Sequence, residues 1–266
     1  MKQIAVLITA MLCALTSSAI YRVSILSHEE LCIGPEEILQ LPGIGLGIAN
    51  GPDSIMLLDN PSLAFIRWTE PNNARSIVGC GESFYATEGD SIYRIATDSI
   101  PRKFIGRLDN EQFKLSAATD STFYAITADE DFSCVYEINP ETGYCDPLIS
   151  IESALLKIAP MGDNLLLWAD DAVMIAKDDG MIEPFYSAPD IIDVELSPIG
   201  IFIATDKSVL WFTDVDECIK LLPVGVTNLW WDNEDLLYYR TKDGDIIAIV
   251  GLEAFYKNET NEKSNS

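Results

Sequence analysis

The sequence is poor in histidine and in basic residues, and this scarcity excludes several kinds of function. His28 is the only histidine among 266 residues, so a site built from several histidine ligands is excluded by count. Lysine and arginine together number 17 against 42 aspartates and glutamates, which gives a formal net charge of −25. Nucleic acids and anionic membranes attract clustered cations, so neither is an expected partner. The charge favours a cation or a basic partner instead, although acids also serve simply to keep a protein soluble.

The sequence also lacks a membrane-length apolar run, because no stretch reaches the about 20 apolar residues that a spanning helix needs. Its start is typical of a signal peptide over residues 1–19. Lys2 precedes a short apolar run, and small residues lead to a predicted cleavage after Ala19. Lipid attachment at Cys13 is the less favoured alternative, since Leu12 is not small. We therefore expect a secreted or periplasmic protein without membrane insertion.

Short apolar runs separated by turn residues recur along the rest of the chain. In residues 155–187 four such runs follow one another, each of strand length and rich in β-forming residues. The second run of each unit begins at Leu46, Phe84, Phe123, Leu165, Ile201 and Leu236. By subtraction, successive second runs are 38, 39, 42, 36 and 35 residues apart. Four strands per 35 to 42 residues, without helical periodicity, predict an all-β, six-bladed β-propeller, with seven blades as the alternative.

The propeller is predicted to occupy residues 20–257 as a single domain, followed by a disordered polar tail at 258–266. The last unit has no clear fourth strand. A strand at 21–26 can complete that unit and close the ring, which protects sheet edges. The competing closure uses residues 254–256.

Residues 135–143, Val-Tyr-Glu-Ile-Asn-Pro-Glu-Thr-Gly, form a strand running into a turn. Proline presets φ in such a turn, asparagine bonds its own backbone, and glycine takes the left-handed position. The segment resembles the repeats of YVTN-type and quinoprotein-type propellers. The resemblance implies a β-propeller fold and no particular activity.

Cysteine usage fits an oxidising compartment without defining a disulfide set. Cleavage at Ala19 leaves an odd number of cysteines, and their spacings match no zinc motif: Cys32, Cys80, Cys134, Cys145 and Cys218. Cys134 and Cys145 flank one predicted turn and are the best candidates for a disulfide. Buried thiols are an equally good interpretation.

Acidic residues recur in the predicted loops between second and third strands, which share one face in a propeller. Every unit contributes at least one, and Glu88, Glu130 and Asp245 accompany the candidate ligand-binding residues: Asp53, Asp90, Asp129, Asp131, Asp170, Asp171, Asp206 and Asp243. An acidic face could hold Ca²⁺, which is the only cofactor considered, or a basic partner. Ordinary turn chemistry also favours aspartate at such positions.

No catalytic constellation stands out, because a histidine-based triad would have to use His28 and no nucleophile-elbow motif is present. The tryptophans fall in or beside predicted strands and are expected to pack between blades. Glycan stacking by Trp230 and Trp231 is the alternative. We therefore expect a binding or scaffold module whose acidic loop face meets a protein or a glycan. The alternatives are a carboxylate-dependent propeller enzyme, either a lyase or a glycosidase, and a sensor domain.

Overall fold

A computed structural model describes a set of segments that covers most of the chain from residue 74 onward: residues 20–26, 38–41, 45–49, 54–57, 65–67, 74–81, 83–95, 101–108, 113–119, 121–128, 132–214, 217–222, 226–231 and 236–257. These segments belong to two compact units. One unit lies within Ile38–Pro189, and the other comprises the described parts of Met1–Glu37 and Asp190–Ser266. Each unit is described by itself below.

The unit within Ile38–Pro189 consists of four antiparallel sheets of four strands, each sheet following the chain in order. The sheets are β2–β5, β6–β9, β10–β13 and β14–β17. Their strands are β2 Ile38–Leu41, β3 Gly45–Ala49, β4 Ser54–Leu57, β5 Phe65–Arg67, β6 Ala74–Cys80, β7 Ser83–Glu88, β8 Ser91–Arg94, β9 Lys103–Arg107, β10 Phe113–Ala118, β11 Phe123–Ala128, β12 Ser133–Ile138, β13 Cys145–Ile151, β14 Leu155–Met161, β15 Asn164–Ala169, β16 Ala172–Ala176 and β17 Ile182–Ser187.

The second unit contains two further four-stranded antiparallel sheets. One sheet is continuous in sequence, and the other takes its outer strand from the N-terminal end of the chain. The strands are β18 Ile191–Ser197, β19 Gly200–Thr205, β20 Val209–Asp214 and β21 Glu217–Leu222 in the first, and β22 Val226–Trp231, β23 Leu237–Thr241, β24 Ile246–Val250 and β1 Tyr21–Leu26 in the second.

The burial of the strands explains why apolar runs in the sequence predict them. The second strand β19 is buried on both faces, because every residue from Ile201 to Thr205 is buried. The second strand β15 is buried along most of its length. A continuous apolar run is therefore required there rather than an alternation. Outer strands such as β17 are largely exposed and carry polar residues and Pro184, which is tolerated because an edge strand has backbone groups without a ladder partner. Each predicted second-run position lies in, or directly before, the second strand of a sheet.

Neighbouring sheets inside each unit pack through large apolar side chains. Between β6–β9 and β10–β13, the rings of Tyr85 and Phe123 stack with centroids 4.8 Å apart. In the second unit, Phe202 stacks on Trp211 and on Trp231, with centroids 5.6 and 5.8 Å away. The Trp211 ring nitrogen donates a 3.0 Å hydrogen bond to the Ile199 carbonyl, which satisfies its only polar group in the core.

The predicted N-terminal strand is confirmed. β1 pairs antiparallel with β24, with Tyr21 opposite Val250 and Leu26 opposite Ile246. The competing closure by residues 254–256 is wrong, because residues 252–257 are helical. Phe255 and Tyr256 instead direct their rings at Trp211, with centroids 5.9 and 6.2 Å away.

The proposed Cys134–Cys145 disulfide is wrong. The hairpin register places Cys134 opposite Ser150 and Cys145 opposite Ile138, so the two cysteines lie at different levels of the same strand pair. Both are free thiols, as is the exposed Cys218. Burial raises the pKa of the Cys145 thiol, and the nearby Asp146 carboxylate raises it further. Cys145 is therefore protonated and unreactive at neutral pH.

Several sequence-based predictions fall outside the described residues. These are the signal peptide at 1–19, the tail at 258–266, His28, Cys13, Cys32, Asp53, Asp129, Glu130 and Asp131. The single domain over 20–257 likewise stays a prediction. Within the described part of the chain, no helix has the length and apolar character needed to cross a membrane.

Candidate functional site

The candidate residues lie in the hairpins that join the second to the third strand of individual sheets, and each hairpin is described by itself. The described candidates all lie in these hairpins: Asp90 follows β7, Asp170 and Asp171 follow β15, Asp206 follows β19, and Asp243 follows β23. Backbone bonds place two of these hairpins beside the exit of their sheet's fourth strand. Leu108 N donates to the Asp90 carbonyl, and Ala188 N donates to the Asp171 carbonyl, both at 3.0 Å.

Asp90 stands in a two-residue turn with Gly89, whose φ of 61° is the left-handed conformation that glycine allows. The Ser91 hydroxyl donates to the Asp90 carboxylate at 2.9 Å, and Arg107 on β9 forms an ion pair with it. The hydrogen bond from Arg107 is the main reason that the pKa of Asp90 is lowered, with Ser91 contributing. The negative charge of this candidate is therefore already compensated within its own sheet.

Asp170 and Asp171 form the whole turn between Ala169 and Ala172, which are paired across the strands. Both aspartates are exposed. Among the described residues, neither carboxylate takes part in an ion pair. Two adjacent and uncompensated negative charges thus project from this end of the sheet β14–β17.

Asp206 belongs to a turn that the Thr205 hydroxyl organises by accepting hydrogen bonds from Lys207 N at 3.3 Å and Ser208 N at 3.1 Å. Sequence reasoning missed its neighbour, Asp190, which directly precedes β18. Lys207 Nζ lies 3.5 Å from a carboxylate oxygen of each aspartate. One sequence signal could have indicated this pairing. Asp190 directly precedes the first strand of its sheet, β18, and Asp206 directly follows the second, β19, so the antiparallel pairing of these strands brings the two residues together.

Hydrogen bonding with the Asp206 carboxyl, followed by the attraction of Lys207, lowers the pKa of Asp190. A general acid needs the opposite shift, toward neutral pH. The two carboxylates together raise the pKa of Lys207, with Asp206 the larger cause. Lys207 is thus ion-paired with both aspartates, and the lowered pKa of Asp190 favours the ionised form of this carboxyl.

Asp243 is exposed in a turn closed by Thr241 and Asp245. Thr241 N donates to the Asp245 carbonyl at 2.9 Å, and Asp245 N donates to the Thr241 hydroxyl at 3.1 Å. Gly244 completes the turn with φ 93°. The hydrogen bonds of the turn thus explain Thr241 and Asp245. The exposed Asp243 carboxylate adds negative charge to this end of its sheet.

Within the described ranges, no three histidine, cysteine, aspartate or glutamate side chains are placed so as to hold one ion. The Asp190–Asp206 pair already has Lys207 as its counter-ion. A Ca²⁺ site on these hairpins stays a prediction.

A buried carboxylate on β18 was also not predicted from the sequence. Asp193 is only 4% exposed. Its side chain accepts hydrogen bonds from Val194 N at 2.8 Å and from Leu229 N, on the first strand of the neighbouring sheet, at 2.7 Å. Two positions later, Glu195 accepts from Trp231 N at 3.0 Å. Both carboxylates thus join sheets within one unit, which is a structural task.

The expectation that tryptophans pack inside the protein is confirmed for two of them, since Trp211 and Trp230 are buried. Trp230 stacks face to face on Tyr238, with centroids 5.3 Å apart and planes 3° from parallel. Because Trp230 is only 2% exposed, it cannot stack on a glycan, and that alternative is wrong for this residue.

Comparison with known proteins agrees with this architecture. The gluconolactonase from Xanthomonas campestris matches with a TM-score of 0.56 at 12% identity, over 77% of this chain and 81% of that one. The nidogen/laminin complex structure matches with a TM-score of 0.54 at 10% identity, over 77% and 84%. The extracellular domain of a hybrid two-component system from B. thetaiotaomicron gives 0.54 at 12% identity, over 77% of this chain.

The chain has a β-propeller fold. Identities of 10 to 12% show that fold alone. This propeller chain spans only 31% of the length of the two-component extracellular domain that it matches. No protein-family model and no curated protein matches its sequence.

Proposed function

We propose that this chain is a six-bladed propeller, secreted or periplasmic, that acts as a binding or scaffold module for a protein with a basic surface. The recurrence of four strands every 35 to 42 residues supports six blades. In such a ring the second-to-third-strand hairpins share one face. The observation that carries the binding role is the exposed and uncompensated Asp170–Asp171 pair in one of these hairpins.

The choice of a basic protein follows from charge and shape. Rigid strands hold the hairpin acids in place, so binding does not require a flexible loop to be ordered first. Acidic patches attract basic partners and raise the rate of encounter at low ionic strength. Neighbours of the same fold include a protein solved within the nidogen/laminin complex, so the fold is compatible with protein partners. Export of the chain rests on the predicted signal peptide.

The enzyme alternative has a weaker basis. A glycosidase needs a carboxyl group with a raised pKa beside a second carboxylate. The Asp190–Asp206 pair shows a lowered pKa at Asp190, which is the opposite shift. The alternative is supported by fold similarity to two enzymes, a gluconolactonase and a streptogramin B lyase, the latter with a TM-score of 0.51 at 13% identity.

The proposal is tested by capture of partners from the native envelope or medium with the mature protein and two matched variants. D170N/D171N removes the exposed pair. D178N/D179N removes two equally exposed acids from the turn after β16, at the opposite end of the same sheet. We expect a stoichiometric protein that the wild type and D178N/D179N retain and that D170N/D171N loses.

Two further arms sharpen the result. Added salt should release a partner held by charge, since the Debye length falls to about 3 Å at 1 M. Loss of the partner upon chelation would add Ca²⁺ to the site. A partner that D170N/D171N retains fully, or no partner at all, would contradict the proposal, and turnover of a screened glycan would favour the enzyme alternative.

A further inference from the structure

Lys114 on β10 places an amine in an apolar part of the unit within Ile38–Pro189. Its neighbours along the strand, Phe113 and Leu115, are buried, and so is Ile126, its cross-strand partner on β11. Lys114 itself is half-buried. Withdrawing an ammonium from water costs free energy unless an opposite charge takes the place of the water. A lysine at this position is therefore expected to lie beside a carboxylate.

No carboxylate accompanies Lys114 in the part of the chain that the structure describes. Its Nζ donates a hydrogen bond to the carbonyl of Leu156 on β14, in the neighbouring sheet. It takes part in none of the ion pairs of the described residues. Burial lowers the pKa of the Lys114 ammonium, and no charged neighbour contributes to the shift. Lys114 is thus uncompensated in a protein with 42 acids.

The link between the two sheets does not require a lysine. Two residues further along β10, the neutral hydroxyl of Ser116 joins the same sheets by accepting a hydrogen bond from Ile158 N at 3.1 Å. An asparagine, glutamine or serine in place of Lys114 would donate to the Leu156 carbonyl without burying a charge. The contact between the sheets therefore explains a hydrogen-bond donor at this position, and it leaves the amine unexplained.

The position is open to small molecules from solvent. Leu156, which accepts the hydrogen bond from Lys114, is 39% exposed although it is a leucine in a first strand. It is the extra residue at the register shift between Leu155 and Lys157. Such a bulge turns a side chain away from the regular ladder. Since Lys114 is itself only half-buried, a small molecule can reach its amine beside Leu156.

We propose that the amine of Lys114 is a covalent binding site for small aldehydes, a role separate from the one proposed for the hairpin acids. The ammonium first loses a proton to solvent, and its nitrogen then attacks the aldehyde carbon to form a carbinolamine. The carbinolamine loses water, which carries away the carbonyl oxygen and the two amine protons, and a C=N bond remains. No oxidant or reductant is needed. Lysines desolvated in apolar surroundings are activated for this reaction, because only the neutral amine is nucleophilic.

A small anion such as phosphate is the competing ligand, and the surroundings of Lys114 disfavour it. Strong anion sites combine several donors, as in bidentate arginine pairs. One proton of the Lys114 ammonium is already directed at the Leu156 carbonyl. No second charged group acts on Lys114, since burial is the one cause of its pKa shift. A single ammonium gives only a weak ion pair in water.

Reductive trapping tests the proposal. The mature protein is treated at neutral pH with limiting butanal and cyanoborohydride, which reduces the imine to a stable secondary amine, and peptide mass spectrometry locates the butylated lysines. Lys177 and Lys207 are the matched lysines, because Glu183 raises the pKa of the first, and Asp206 with Asp190 raises that of the second. We expect labelling of Lys114 to exceed that of either by about fivefold or more, in proportion to its neutral fraction. Denaturing urea should abolish the difference.

Two variants show whether the missing counter-ion matters. L156D places a carboxylate beside Lys114 at a partly exposed position and should lower its labelling about fivefold. L148D changes a leucine of similar exposure, 45%, on β13 and should leave the labelling unchanged. Circular dichroism checks that both variants keep their fold. The proposal is overturned if Lys114 is labelled no faster than Lys177 and Lys207, if its preference persists in urea, or if L156D and L148D behave alike. Suppression of the labelling by excess phosphate would also overturn it, in favour of an anion site.

Discussion

At the scale of single residues, Gly143 combines two constraints that no other residue type satisfies. It ends the turn that begins at Asn139, whose side chain accepts hydrogen bonds from Glu141 N at 2.9 Å and Thr142 N at 3.1 Å. Gly143 has φ 72°, and it also packs against the carbonyl of Ile105 in the neighbouring sheet. The turn chemistry predicted for residues 139–143 is therefore confirmed, and the packing contact adds to it.

G143A is expected to lower the free energy of unfolding by about 3 kcal/mol. A left-handed alanine costs about 1 to 2 kcal/mol, and the clash with Ile105 adds about as much. Gly180 is the matched control, since it has φ 85° and open space around it, so G180A should cost only about 1 kcal/mol. Urea denaturation of both variants measures the difference, and equal losses would show that the inter-sheet contact contributes nothing.

Asp193 supports a second prediction at this scale. D193A leaves the buried N–H groups of Val194 and Leu229 without their acceptor, which should cost about 3 kcal/mol. Ser116 is the control, because in the other unit its neutral hydroxyl accepts a hydrogen bond from Ile158 N at 3.1 Å. S116A should lower the free energy of unfolding by about 1 kcal/mol. Chemical denaturation compares the two. If D193A were no worse than S116A, the charge on the acceptor would be irrelevant.

At the scale of elements, β1 completes a sheet whose other strands lie more than 200 residues later in the chain. Its loss would expose β24 as a new edge, with Ile246, Ala248 and Ile249 buried in the present fold. An apolar, unpaired edge is a site for aggregation. The helix at 252–257 cannot replace the strand, because it packs on Trp211.

Deletion of residues 1–27 is therefore expected to lower the melting temperature strongly and to produce soluble aggregates. Removal of residues 258–266, the predicted tail, is the control and should change neither property. Calorimetry and size-exclusion chromatography measure both effects. A monomeric deletion variant with an unchanged melting temperature would mean that β1 contributes little to the sheet.

At the scale of the whole molecule, the charge excess is compensated only at particular places. Asp90 and Asp190 have lowered pKa values because Arg107 in one case, and Asp206 with Lys207 in the other, stabilise the ionised form. A group whose pKa is lower in the folded state stabilises the fold above its unfolded pKa. That stabilisation is lost as the pH falls through the folded value.

D90N/D190N is thus expected to be less stable than the wild type at pH 6 to 7, and the difference should shrink as the pH falls below about 4, near the unfolded pKa of aspartate. The effect should be small because these pairs are exposed to solvent. Urea denaturation at several pH values measures it, with D178N/D179N as the charge-matched control. A difference that stays constant down to pH 3 would rule out the ionised pairs as its source.

Local chemistry allowed the sequence alone to determine the strands, their grouping in fours and the hairpins that carry the acids. Apolar runs, turn residues and the Asn139–Gly143 turn are short-range features, and β1 was predicted because a sheet of three strands lacked a fourth. Cross-strand register and contacts between sheets were decided only by the tertiary structure. Cys134 and Cys145 flank one turn, yet the register set by strand pairing keeps them apart. Lys207 bridges Asp190 and Asp206, and Asp193 accepts a hydrogen bond from Leu229 N on another sheet. Arg102 lies over the ring of Tyr93. Packing brings these residues together, and their spacing in the sequence has no fixed period.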